Sequence, residues 1–271
     1  MNATNFDVSG KVAVVTGAGG IICGVMAREM AKAGMKVALL DLFLEGAQKI
    51  AGEICAAGGE AVAVQANVLD KESLTKACQA VTDRFGKVDV LVNGAGGNKK
   101  EATTSAEMSF FDIPIDAMKW VFDLNVIGAV MTTQAFGMEI AKSGGVVINI
   151  ASMATYHPLT NTIAYSGAKA AVANFTQWMA VHFNQNYSKN IRVNAIAPGF
   201  LLTNQNRFLM QKEDGSPTER GERVLAKTPM GRYGEPEEMA GPVLWLCSDA
   251  ASFVNGAIIP IDGGFSAYWG V

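Results

Sequence analysis

Short apolar runs recur along the chain, and most are followed by a stretch with helical spacing. The runs are "KVAVVT" (11–16), "KVALLD" (36–41), "EAVAVQA" (60–66), "KVDVLVN" (87–93), "GVVINIAS" (145–152), "IRVNAIAP" (191–198) and "GAIIPID" (256–262). Helical patterns occupy residues 23–34, 44–59 and 70–86, each closing on a glycine, and Asp70 is placed to cap the third with Lys71 and Ser73 toward solvent. Strands alternating with helices predict an α/β fold, a doubly wound parallel sheet of about seven strands with helices on both faces (Rossmann-like). Nothing in the pattern marks a linker or a repeat beyond this alternation, so residues 1–271 are expected to form one domain. The charged segment 200–228 breaks the alternation, and its Phe200, Leu201, Leu202, Phe208, Leu209 and Met210 suggest a lid that packs down.

The first predicted strand runs into "TGAGGIICG" (16–24), where a phosphate-binding turn would lie in such a sheet. Neither common glycine spacing is complete: G-x-G-x-x-G meets Ile22 at its third glycine, and T-G-x-x-x-G-x-G meets Ile21 and Cys23. Taken alone, the stretch reads equally as a phosphate cradle or as a glycine-rich turn. Asp41, at the end of the second predicted strand, tips the balance. A carboxylate there can accept from both hydroxyls of an adenosine ribose and repels a 2′-phosphate, so NAD is favoured, with NADP left open. Asp41 could instead cap the next helix. Gly17, Gly19, Gly20 and Ile22 are then cofactor-binding candidates with Asp41. Asn67 and Val68 at the third strand end join them, as do Asn93, Gly94, Ala95 and Gly96 at the fourth.

Between Ser143 and Ser188 the only formally charged side chain is Lys169. A helix so nearly uncharged is buried in a core or a subunit interface, and a lysine within it is seldom there for solubility. Tyr165 precedes Lys169 by one helical turn, so both project from the same face. An ammonium beside a phenol favours phenolate and would lower the tyrosine toward neutrality, which suits a proton donor and acceptor. Ser152 ends the fifth strand, where its hydroxyl could hydrogen-bond a reacting oxygen. Asn125 is a polar residue in an otherwise apolar helical stretch (121–130), and a satisfied buried amide is the plain alternative.

Charge and composition exclude other classes. The chain has 271 residues, 49% hydrophobic and 17% charged, with net charge −3 and no basic block, which argues against nucleic acid as a partner. Its four cysteines show no metal-ligand or disulfide spacing, and no metal site is expected. No secretory signal or membrane span is evident, so a reduced, cytoplasmic protein is expected.

With these residues assembled, the sequence resembles the short-chain dehydrogenase/reductase family over nearly its whole length. The matching pieces are "TGAGG", "NGAG" (93–96), Asn125, Ser152, "YSGAK" (165–169), "APGF" (197–200), Thr203 and "DGG" (262–264). The resemblance implies a catalytic set in which Asn125 holds its helix and a relay water, and Ser152 polarises the carbonyl. Tyr165 is the acid/base, and Lys169 binds the nicotinamide ribose and tunes Tyr165. It also implies hydride transfer, cofactor contacts from Pro198, Gly199 and Thr203, and a homotetramer. Ile21 and Cys23 in place of glycines, Gly94 for the usual Asn and Asn67 for Asp are departures.

Several stretches, "NGAGGNKKEATT" (93–104) and "TPMGRYGEPEE" (228–238) among them, are similar to the family branch of D-mannonate oxidoreductases, or fructuronate reductases. That branch also resembles gluconate 5-dehydrogenases and accommodates the odd loop. A sugar-acid substrate needs a cation and several hydrogen-bonding groups. Asn98, Lys99, Met153, His157, Asn206 and Arg207 are the candidates, with solvated loop charge the equal alternative for Lys99 and Arg207.

Overall fold

The structure is a computed structural model describing residues 4–203 and 206–270, so Asn204 and Gln205 of the expected lid lie outside the described residues. Seven strands form one wholly parallel sheet in the order β3-β2-β1-β4-β5-β6-β7. They are β1 (Val12–Thr16), β2 (Lys36–Asp41), β3 (Glu60–Gln65), β4 (Val90–Asn93), β5 (Gly145–Ile150), β6 (Ile191–Pro198) and β7 (Ile258–Ile261). The helices are α1 (Ile21–Lys32), α2 (Leu44–Ala56), α3 (Lys71–Phe85), α4 (Ile115–Phe122), α5 (Gly128–Ser143), α6 (Ile163–Asn186), the short α7 (Arg207–Met210), α8 (Glu219–Lys227) and α9 (Ala240–Cys247).

The strands read as continuous apolar runs because both faces of the sheet are covered. Along β1, Ala13 and Val15 pack with Met26 and Met30 of α1, Ile50 and Ile54 of α2 and Val243 of α9. The alternate residues Val12 and Val14 pack on the other face with Leu74 and Val81 of α3, Phe136 and Ile140 of α5 and Met179 of α6. The order of the strands reverses between β1 and β4, and such a crevice at the carboxyl ends is where α/β sheets bind ligands.

Local chemistry trims the expected boundaries. β4 starts at Val90 because the Asp89 carboxylate takes the Val12 N–H at 2.7 Å. α2 stops at Ala56, and Gly58 supplies the left-handed turn at φ 88°. Asp70 caps α3 as expected, accepting from the Ser73 N–H at 3.0 Å. Ser73 is not turned to solvent: it is half-buried, and its hydroxyl accepts from the Asn67 N–H.

The helical stretch expected at 121–130 is longer. α4 follows Pro114, passes through a π-type turn at Asp123–Ile127 and continues as α5. The segment 200–228 folds into α7, a bridge between Gln211 and Pro217, and α8. Met210 and Val224 pack with Tyr233, which lies beyond the segment, while Phe208 and Leu209 stay exposed, so only part of the expected apolar set packs down. Its root is tied to the body by Leu202 N–H to Gly234 O and Gly234 N–H to Phe200 O, at 2.9 and 3.0 Å. Close by, Arg232 grips Glu238 with both guanidinium nitrogens, pulling that carboxyl down to about 2.

Candidate active site

A cavity of about 970 Å³ runs along the carboxyl ends of the strands. At one end are the glycine turn and Asp41, and at the other Ser152 and Tyr165. The turn is built for close approach. Gly17 has φ 65°, and a Cβ there would lie 2.9 Å from the Ala95 Cα, so the two glycine loops after β1 and β4 touch backbone to backbone. Thr16, which the sequence did not single out, stitches them: its hydroxyl accepts from the N–H groups of Gly94 and Ala95 at 3.0 and 3.1 Å. α1 begins at Ile21 behind Gly20, leaving its first N–H groups at the cavity, where anions bind well.

Asp41 lines the cavity and does not cap α2, whose N-cap is Phe43 with no side-chain cap bond. One carboxylate oxygen accepts from the Gly19 N–H at 2.9 Å, fixing the turn, and the other accepts from Phe43 N–H at 2.9 Å before α2. Asn67 and Val68 line the same end, with the Asn67 oxygen held in a local turn by Leu69 N–H. Three cofactor candidates do not line the cavity: Asn93, Pro198 and Lys169, the last buried on Ile150 O. Asn93 is buried, and its Nδ2 donates to Thr133 and Asn149 at 2.9 and 2.8 Å, so its side chain belongs to an interior polar chain. Its Oδ1 is buried without a partner among the described residues. Pro198 is buried as the last residue of β6, and Gly199 and Thr203 line the cavity instead. The remaining positions expected to hold a cofactor, Gly17, Gly19, Gly20, Ile22, Gly94, Ala95 and Gly96, all line it.

At the catalytic end, β5 delivers Ser152, 6% exposed, and α6 delivers Tyr165 and Lys169 on one face. Ser152 Oγ accepts from Ala154 N–H at 3.1 Å. Lys169 is 5% exposed, with Nζ donating to the Ile150 carbonyl at 2.7 Å and lying 5.6 Å from the Tyr165 ring centre. Burial pushes this ammonium down to about 8. The expected lowering of Tyr165 is not found. Burial pushes its hydroxyl above the ordinary range, and the Ser152 side chain pulls it back only in part. The ammonium faces the ring rather than removing that burial penalty.

Asn125 is a satisfied buried amide and also a brace. Its Oδ1 accepts from Gly97 N–H at 3.1 Å, and its Nδ2 donates to Gly97 O at 2.7 Å and Val121 O at 2.8 Å. The Val121 carbonyl it reaches lies in α4, just before the π-type turn that carries Asn125. The brace ties the loop after β4 to the turn between α4 and α5. A Cβ on Gly96 would meet Asn125 Oδ1 at 2.7 Å and Lys169 Nζ at 3.4 Å.

The substrate candidates divide. Asn98 and Met153 line the cavity. Lys99 does not itself line the cavity; its Nζ lies 5.6 Å from the ring centre of Trp120, which does. Asn206 lines it too, but its side chain is committed to Thr203 N–H and Leu201 O where the segment 200–228 begins. Arg207 is exposed and bonded to Gln211, away from the site. His157 faces the chain's last described residues: its Nε2 is 3.2 Å from Ser266 O and its ring meets Trp269 edge-on. The sequence missed Trp120 and Leu124, which both line the cavity. Their four-residue spacing would have marked a common face had the helix been started after Pro114. Among the described residues, no group of three or more His, Cys, Asp or Glu could hold a metal, and no helix is long and apolar enough to cross a membrane.

Comparison with known proteins places this geometry. A family model described as enoyl-(acyl carrier protein) reductase, of the short-chain type, matches residues 17–266. An uncharacterised oxidoreductase of Bacillus subtilis, UxuB, is 47% identical, covering 98% of each chain. A Haemophilus influenzae protein provisionally assigned as a D-mannonate oxidoreductase, solved with bound NAD, is 45% identical with a TM-score of 0.93, covering 98% of each chain. The 7α-hydroxysteroid dehydrogenase of Escherichia coli K12 is 34% identical over 97% of each chain.

Proposed function

The chain belongs to the short-chain dehydrogenase/reductase family of NAD(P)-dependent oxidoreductases, and we propose that it interconverts the ketone and alcohol of a sugar acid, D-fructuronate and D-mannonate. The observation that carries the chemistry is the meeting of Ser152 and Tyr165 on one cavity wall, with Lys169 directly behind. The substrate reading is supported by similarity across the full length to the Haemophilus protein.

Bound NAD(P) supplies the hydride donor or acceptor. The residues present fit it: Gly17, Gly19, Gly20, Gly94 and Gly96 line the cavity without side chains, and α1 points its first N–H groups into it. Asp41 at the end of β2 favours NAD over NADP, because a 2′-phosphate would meet its carboxylate. In the reductive direction, Ser152 hydrogen-bonds the carbonyl oxygen and Tyr165 donates its hydroxyl proton to that oxygen. Lys169 stabilises the phenolate left behind, and the 2.7 Å bond to Ile150 O fixes the ammonium for that task. Asn125, through Gly97, fixes the loop after β4 on the turn between α4 and α5. The segment 200–228 acts as a lid over the substrate.

The protein works in the cytoplasm as a homotetramer on this reading. Phe122, Ile127 and Met138 on the α4–α5 run and Trp178 and Val181 on α6 are exposed apolar side chains, as a subunit interface would require.

The test is to supply the purified protein with NADH or NADPH and with D-fructuronate, 5-ketogluconate or an acetoacetyl thioester. Loss of reduced-nicotinamide absorbance is expected with D-fructuronate and faster with NADH. Turnover of 5-ketogluconate alone would make it a gluconate 5-dehydrogenase. Turnover of the thioester alone would overturn the sugar-acid reading.

A further inference from the structure

We infer that Lys99, held over the indole of Trp120, is the cation that receives the substrate's carboxylate; this rests on the sugar-acid reading and gives it a specificity residue. The loop that carries Lys99 is fixed at every step. Asn125 bonds both polar groups of Gly97, Asn98 Nδ2 donates to Thr103 Oγ1 at 3.0 Å, and Thr103 Oγ1 donates to the Lys99 carbonyl at 3.1 Å. Ala102 is wholly buried against Ala164 and Ala168 of α6, one turn or less from Tyr165. Thr104 N–H reaches Asn161 O at 3.0 Å, and Asn161 is the one non-glycine residue with positive φ (71°) among those described. The backbone at Lys99 is therefore tied to the helix that bears the catalytic tyrosine.

The side chain is equally placed. Lys99 is half-buried, with its ammonium over a ring that lines the cavity, and among the described residues no carboxylate pairs with it. The residues lining the cavity carry one formal charge, Asp41, at the opposite end. Lys169 is spent on Ile150 O, and Arg207 on Gln211. A carboxylate brought beside Tyr165 without a cation would lose its hydration with little in return. Lys99 is the cation over Trp120, next to that wall, and holding it on the indole removes part of its own desolvation cost beforehand.

The experiment compares Lys99→Met and Lys99→Arg with the wild type, measuring kcat/KM for D-fructuronate and for D-fructose as a neutral ketose, together with NADH affinity. Lys99→Met is expected to reduce the preference for the acid by about 10- to 100-fold, the range for hydrogen bonds to charged groups. NADH affinity stays unchanged, and Lys99→Arg retains most of the preference. Wild-type turnover of D-fructuronate with an unchanged acid preference in Lys99→Met overturns the inference alone. A wild type with no preference for the acid overturns the sugar-acid reading and the inference together.

Discussion

Cys23 and Gly94 occupy one another's space. A Cβ added at Gly94 would overlap the Cys23 sulfur, and it would lie 2.7 Å from the Thr16 carbonyl. The thiol is 5% exposed, and burial pushes it up to about 12, so it stays protonated and acts as an apolar filler. The two departures from the family glycine pattern are thus one compensated exchange: a side chain at the glycine's place, and a glycine where a side chain is usual. Gly24 takes over the close helix packing, since a Cβ there would sit 2.6 Å from Ile50 on α2. Gly94→Ala should therefore lower the melting temperature and weaken NADH binding, with overpacking costing about 1–3 kcal/mol. Adding Cys23→Ala should recover part of that loss, because the Cys23 Cβ is 3.6 Å from the added methyl, an ordinary contact. A thermal-unfolding cycle over the four proteins measures the coupling. Strictly additive losses would show that the two positions are independent.

The pH profile of reduction follows from two buried groups. Tyr165 must be protonated to donate, and burial keeps it so beyond its ordinary range. Lys169 must be charged to stabilise phenolate, and its charged form is populated below about 8. Reduction at saturating NADH should be flat through neutral pH and fall as pH rises through about 8, as the ammonium loses its proton. Tyr165→Phe should bind NADH normally, measured by fluorescence, while turnover falls by about 100-fold or more. Unaltered turnover in Tyr165→Phe would remove the proposed acid/base.

What the sequence made legible has a physical boundary. The sheet, its order of elements and the positions of Asp41, Ser152, Tyr165 and Lys169 follow from periodicity, because strand ends and helix faces place side chains by geometry alone. The failures share a cause: the side chains were right for the chemistry, but their neighbours decided otherwise. Asn93 lies at a strand end yet turns inward, because Thr133 and Asn149 offer buried partners. His157 and Arg207 sit in suitable loops, and contacts with Ser266, Trp269 and Gln211 claim them. Tyr165 was expected to be lowered by its lysine, but one-turn spacing says nothing of how deeply both are buried. Trp120 escaped notice because the π-type turn at Asn125 hides where the helix begins.

The chain's last described residues couple two walls of the site. Phe265 packs on Phe200 at the lid root, with ring centres 5.4 Å apart, and the adjacent Ser266 carbonyl lies within hydrogen-bond reach of His157, in the loop that follows Ser152. Asp262 holds this turn through Gly264 N–H and Ser266 N–H at 2.9 and 2.8 Å. Phe200 lines the cavity, so its angle sets the width of the substrate end. Phe265→Ala should raise KM for the carbonyl substrate several-fold, leaving kcat and NADH affinity within about twofold, the pattern of lost binding without lost chemistry. Steady-state kinetics with both ligands varied would measure it. An equal loss of NADH affinity would mean that the residue supports the sheet as a whole rather than the lid root.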